Sequence, residues 1–399
     1  MKKDVFLMIP CDLSNYKYDN ESKKSEIGNF LISEVEKNNM SEFKSNFIKG
    51  IERSVIGEYK LSSSLMQDTE DSIVTLTRHP KTNNGMICIY IPLAKNEPVV
   101  IIQSLVSNLL NIKTENGEFT TLKEYLFNNK IMISGNSKAL VFLNEEISQQ
   151  EIIKILACES DPLGEIVGSK LVEMSKLDIA QYNTAKVYCG ENVLLELQKN
   201  FLENIKDRIA NEAIEVFFME LLLLQEAAIT RICDRITKEL EIEIENPIRK
   251  NNIQVLEELS CETSQAILFL DFDCFIYPTV RNAAEEISKK FGIDKLIDKY
   301  YKYKNVLETL INIHDARVDE VDNNNLNILL LVLTLTQVVS VLADLFLSLF
   351  ENRFGFVTAL SFISSIGVCF MLLLIFNILR KRQLKNYKNK SYKKRLSNI

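Results

Sequence analysis

Six polar side chains recur along one apolar stretch near the end of this 399-residue sequence: Asn323, Asn327, Thr334, Gln337, Asp344 and Ser348. At 100° per residue on a helix they fall within one sector of about 100°, with Leu330 and Val341 filling the same face. Amide, hydroxyl and carboxylate oxygens in such a row can replace part of a cation's hydration shell, so the expectation is a pore-lining stripe. Hydrogen bonding between packed helices is the competing reading. Just upstream, Asp315, Asp319 and Asp322 stand at i, i+4 and i+7. Their carboxylates are candidate cytoplasmic cation sites, hard oxygen ligands for a divalent ion, although an ordinary solvated helix face has the same pattern. The metal itself stays unspecified.

Nucleotide chemistry has weaker signals. No Walker A loop and no GxGxxG run occurs, so a nucleotide would be held by side chains and irregular backbone. Arg231, Arg235 and Lys238 share a helix face and are candidate phosphate donors, but Asp234, Glu239 and Glu241 stand close enough for intrahelical ion pairs. Arg78 belongs to Arg78-His79-Pro80-Lys81, expected in a loop after a strand, where ligand contacts often sit. Catalytic constellations are not expected. Asp271 and Asp273 could pair as the carboxylates of a hydrolase, yet a helix-end acid pair explains them better. His79 and His314 have no evident nucleophile beside them. The eight cysteines contain no CxxC pair, which suggests neither zinc nor a disulfide framework. The expectation is a protein that is not an enzyme.

The elements that must position these residues follow from composition. Leu326 to Phe350 is 25 residues with one charge, and Phe356 to Leu379 is 24 with none. Each is long enough for a bilayer core, which needs about 20 apolar residues. They read as a transmembrane hairpin (326–350 and 356–379) in contact with membrane lipid, with Glu351 and Asn352 at the outer mouth. Residues 380–399 hold nine Lys/Arg and no acid, a basic cytoplasmic tail that sets both termini inside and predicts a two-span inner-membrane protein. The chain carries 47 Lys+Arg against 54 Asp+Glu, and the basic tail leaves the body distinctly acidic, so direct nucleic-acid binding is not expected.

Upstream, β-rich runs at Val5–Ile9, Ser72–Thr77, Met86–Ile91, Val99–Gln103, Ala139–Leu143 and Ala185–Tyr188 alternate with helical patterns. Residues 1–198 therefore read as an α+β or α/β cytoplasmic sensor domain. Residues 199–290 read as a long antiparallel helical hairpin and 291–325 as a stalk helix, continuous from about Asp294 to Phe350.

This order of elements, with Asn325-Leu326-Asn327-Ile328-Leu329-Leu330 followed by Leu333-Thr334 at the junction, resembles the CorA family of magnesium channels. The resemblance implies a homo-oligomer, a pentamer, whose first membrane helix lines a cation path, with Mg2+ or another divalent ion as cargo. The family's Gly-Met-Asn signature is replaced here by Phe350-Glu351-Asn352. Divergent CorA-like proteins without it are membrane effectors of type III CRISPR systems, gated by a nucleotide second messenger such as SAM-AMP. That branch implies a ligand-gated antiviral channel. The alternative is a non-conducting, membrane-anchored signalling or scaffold protein.

Overall fold

Strand β1, Lys3–Asp12, reads KDVFLMIPCD and is buried along almost its whole length. Apolar side chains on both faces mark a strand covered from both sides, and β1 is the centre of the fold. The computed structural model describes residues 2–16, 25–42, 50–66, 70–114, 117–144, 147–159, 165–177, 185–245, 257–261 and 278–349.

The structure is mixed α/β. One ten-stranded sheet contains β1, β2 (Glu52–Ser62), β3 (Glu70–His79), β4 (Asn84–Ile91), β5 (Asn111–Lys113), β6 (Phe119–Thr121), β7 (Met132–Ile133), β8 (Lys138–Leu143), β9 (Ala185–Cys189) and β10 (Val193–Gln198). Its order is β6-β5-β2-β3-β4-β1-β8-β10-β9, with β7 paired to the end of β1. β1 is antiparallel to β4 (Met8 opposite Cys88) and to β8 (Val5 opposite Val141), whereas β8 and β10 run parallel. A β-bulge between Val55 and Gly57 shifts the register of β2 against β3.

Alternation along β1 divides the core in two. Val5, Leu7, Ile9 and Cys11 join one hydrophobic cluster with α2 (Pro98–Val106), α3 (Leu122–Asn128) and α4 (Gln149–Ala157). Helix α5 (Glu165–Ser175) follows α4 and packs on it. Asp4, Phe6 and Met8 point the other way, where α1 (Glu26–Glu42) and the 41-residue α6 (Ile205–Glu245) lie. Every side chain of α6 from Val216 to Ile229 is buried. α4 starts with a full capping box, Ser148 with Glu151, and its left-handed Cys158 ends it.

Three local readings change. Val99–Gln103 is not a strand but part of α2: Pro98 opens the helix, and the β-branched run is buried by packing against the sheet. Strand β2 carries charges on its exposed positions, which hid it, and β10 adds a strand after Ala185–Tyr188, the last one expected. Helices α7 (Pro278–Lys290) and α8 (Ile293–Leu349) complete the described chain. Of the helical hairpin expected over 199–290, residues 246–256 and 262–277 lie outside the described residues, and 257–261 is helical.

The chain divides into two compact units, residues 1–309 and 310–399. Among the described residues no helix is long and apolar enough to cross a membrane. This overturns the transmembrane hairpin of the expected fold, and with it the membrane-protein and ion-channel reading and the inner-membrane localisation. The first expected span is the distal part of the 57-residue α8, and its contiguous described side chains are residues 323–340. These open with Asn323, Asn324, Asn325 and Asn327 and are interrupted by Thr334, Thr336, Gln337 and Ser340. Eight of these eighteen side chains are polar, whereas a hydrocarbon core requires about 20 predominantly apolar residues. The second expected span (356–379), its loop (351–355) and the basic tail lie outside the described residues.

Candidate functional site

The polar stripe is placed on α8. Asn323, Asn327, Thr334 and Gln337 are exposed, and the Thr334 hydroxyl donates back to the Leu330 carbonyl at 2.7 Å on its own helix. Asp315, Asp319, Asp322, Asp344 and Ser348 lie on the same helix, but their side chains are outside the described residues, as are Glu351 and Asn352 altogether. Among the described residues no group of three or more His, Cys, Asp or Glu side chains could hold a metal ion.

The candidate phosphate donors are held elsewhere. The Arg231 guanidinium lies 3.6 Å from Asp12 Oδ1 and donates to Ser14 Oγ at 3.4 Å, while its buried Nε finds no hydrogen-bond acceptor. Arg235 is half-buried and has its own partner; Lys238 is exposed. Arg78 donates twice to Glu52 Oε2, at 2.8 Å from Nε and 2.5 Å from Nη2. Arg78 pairs with Gly85, and Asp12 with Asn84, so Arg78 and Arg231 sit toward the same end of the sheet, each engaged by its own carboxylate. Arg78 and His79 are the last two residues of β3, not part of a loop, and the buried His79 has its Nδ1 3.0 Å from Thr82 Oγ1.

The residues that do enclose space come from three separate parts of the chain. After β7, residues 134–136 are stitched onto α6: the Ser134 hydroxyl donates to the Ala227 carbonyl at 3.1 Å, and the Asn136 amide donates to Glu226 Oε1 at 2.7 Å. Gly135 (φ +125°) is required between them, because a Cβ there would lie 2.9 Å from Pro10 Cγ and 3.0 Å from Glu226 Oε1. A cavity of about 510 Å³ is bounded by Glu226 and Thr230 of α6, Gly135-Asn136, Phe291-Gly292 between α7 and α8, and Lys295, Leu296 and Lys299 of α8. A wider cavity of about 810 Å³ shares Gly135 and Asn136 and adds Asn108, Asn192, Phe127 and Ile131. Gly292, at φ +75°, lies in the turn between α7 and α8, and α8 starts at the wall of the smaller cavity.

Two buried ionisable groups sit beside this junction. Glu226 is 3% exposed, and its second oxygen, Oε2, has no hydrogen-bond partner. Burial raises the Glu226 carboxyl pKa, only partly offset by Lys138 and the Asn136 amide. Lys138, at the start of β8, donates to the Glu191 carbonyl at 2.8 Å and to Asn192 Oδ1 at 3.3 Å, and its ammonium lies 4.9 Å from the centre of the Phe291 ring. Burial pulls its pKa down against the pull of Glu226 and Glu191. Lys138 thus ties the β9–β10 turn and the α7–α8 turn to the central sheet.

No family model, no curated protein and no solved structure matches this chain. The site is therefore read from its own chemistry. Cations, amides, apolar side chains and a buried acid surround the two cavities. Glu226, Lys138, Lys295 and Lys299 do not stand out in the sequence as candidate site residues. One signal is present there: Gln225-Glu226 interrupts the apolar run Leu221-Leu222-Leu223-Leu224 before Ala227-Ala228-Ile229. An acid inside a helix buried on every side needs a partner or a purpose.

Proposed function

We propose that this chain is a non-enzymatic, ligand-responsive signalling protein whose α/β domain binds an anionic small molecule of the nucleotide class in the two adjoining cavities. The observation that carries the reading is that Lys295 and Lys299, one turn apart on α8, line the smaller cavity while asparagine amides and the Phe127 ring line the wider one. Ammonium groups suit a phosphate, and amides beside an aromatic face suit a base. The responding element is α8, because the helix that supplies both lysines is the one that continues to Leu349. The reading includes no membrane span and no ion pathway.

Self-association is part of the proposal. Leu326, Leu329, Leu330 and Leu333 of α8 are each more than half exposed, an apolar surface of the kind that marks an association site. A second copy of the chain is the partner proposed, and light scattering of the purified protein at several concentrations tests it; a strictly monomeric mass removes this part.

For the ligand, isothermal titration with AMP, ATP, a cyclic oligoadenylate and SAM-AMP is the test. At least one should bind, and Lys295→Ala with Lys299→Ala should weaken that binding at least tenfold while the circular dichroism and melting temperature stay near those of the unmodified chain. No binding by any of the four, or binding indifferent to both lysines, overturns the reading.

A further inference from the structure

We infer that the smaller cavity takes a ligand of mixed charge, one that presents an amino group to Glu226 alongside the anionic group held by Lys295 and Lys299. The inference rests on the ligand-binding reading above and specifies what that ligand carries.

A cavity built only for a phosphate has no use for a carboxyl in its wall, since a like charge beside the anion opposes binding. Here Glu226 lines the same 510 Å³ space as both lysines. Its surroundings satisfy half of it: the Asn136 amide occupies Oε1 at 2.7 Å, and Oε2 is left without a partner in a side chain that is 3% exposed. A buried carboxylate oxygen with no donor costs stability, and a ligand that brings a donor recovers that cost on binding. Lys138 does not fill the role, because its ammonium is committed to the Glu191 carbonyl and Asn192 Oδ1. An ammonium is the donor that suits the carboxylate best, through a charge-assisted hydrogen bond. The pairing also selects: an anion lacking the amine leaves Glu226 unsatisfied and facing a like charge.

The test is a matched pair of probes on the full chain, phosphoethanolamine against monoethyl phosphate, titrated by NMR or calorimetry. Phosphoethanolamine should bind at least tenfold more tightly. Glu226→Gln should remove that difference by weakening phosphoethanolamine binding at least tenfold relative to monoethyl phosphate. Equal affinity of the two probes for the unmodified protein overturns the inference, whether or not the variant folds. If neither probe nor any nucleotide binds, the ligand-binding reading fails with it; if monoethyl phosphate or a nucleotide binds and the amine adds nothing, the mixed-charge inference alone fails.

Discussion

Asp4 and Arg208 are joined at 2.7 Å, Oδ2 to Nε, with side chains 0% and 2% exposed. The pair fastens the start of α6 to the central strand. The Tyr90 hydroxyl donates to the same carboxylate oxygen at 2.9 Å, and the Leu93 amide donates to the other at 2.7 Å. Phe6 stacks on Tyr90 beside them, with ring centres 4.3 Å apart.

Removing one partner should leave a buried charge uncompensated. Asp4→Asn or Arg208→Met is expected to cost about 3–5 kcal/mol in urea denaturation, and the double variant should cost less than the sum of the two. Additive losses would show that the two groups are not coupled.

Glu212 lies one helical turn further along α6, 1% exposed, and neither of its oxygens has a hydrogen-bond partner. Burial, with Asp4 nearby, holds its carboxyl pKa well above the ordinary 4.5, partly countered by Arg208. The folded chain therefore keeps a proton that the unfolded chain releases near 4.5, and stability falls as pH rises from there through the raised value. Glu212→Gln should flatten this dependence and stabilise the protein by about 1 kcal/mol at pH 8, with little change at pH 4.5. Parallel pH profiles for the two proteins would refute the assignment.

A Cβ at Gly292 would meet nothing within 4 Å, so the cost of a side chain there is backbone strain alone. Gly292→Ala should lower stability by about 1–2 kcal/mol, the penalty of a left-handed alanine. The same variant should weaken ligand binding, since the turn sets where Lys295 and Lys299 begin. A melting temperature equal to that of the unmodified chain would contradict the first expectation.

The thiols should separate by burial. Cys11 is fully buried, its pKa pushed up to about 12, and burial also raises Cys88 and Cys189, whereas Cys261 is exposed. The thiolate is the reactive form. Cys261→Ser should therefore remove a fast phase of reaction with Ellman's reagent, while Cys11→Ser should change the count only after denaturation.

Much of the sheet was legible because its strands are apolar on both faces: β1, β4 and β8 stand out as Val, Ile, Leu and Phe runs. Strand β2 was hidden by Glu52, Arg53, Glu58 and Lys60, which break up its apolar pattern, and α2 was hidden by a β-branched run that only its preceding Pro98 reveals as a helix start. The continuity of α8 was legible from the absence of proline and of late glycine. The candidate site was not. Its walls come from residues 135–136, 226–230 and 291–299, and no local pattern shows that a glycine turn, an α6 acid and two α8 lysines meet. The arginines that looked suited to phosphate have spacing in their favour, but Glu52 engages Arg78 and Asp12 lies beside Arg231.

The position of β1 at the centre of the sheet has a consequence for synthesis. Its two long partners are β4, ending at Ile91, and β8, ending at Leu143. At translation rates of about 5–20 residues per second, β1 waits several seconds to tens of seconds before both edges can be covered. During that interval an apolar strand with open hydrogen-bonding edges is presented to whatever surrounds the ribosome. Nascent-chain capture by holdase chaperones should therefore centre on Lys3–Asp12 and end once β8 has emerged.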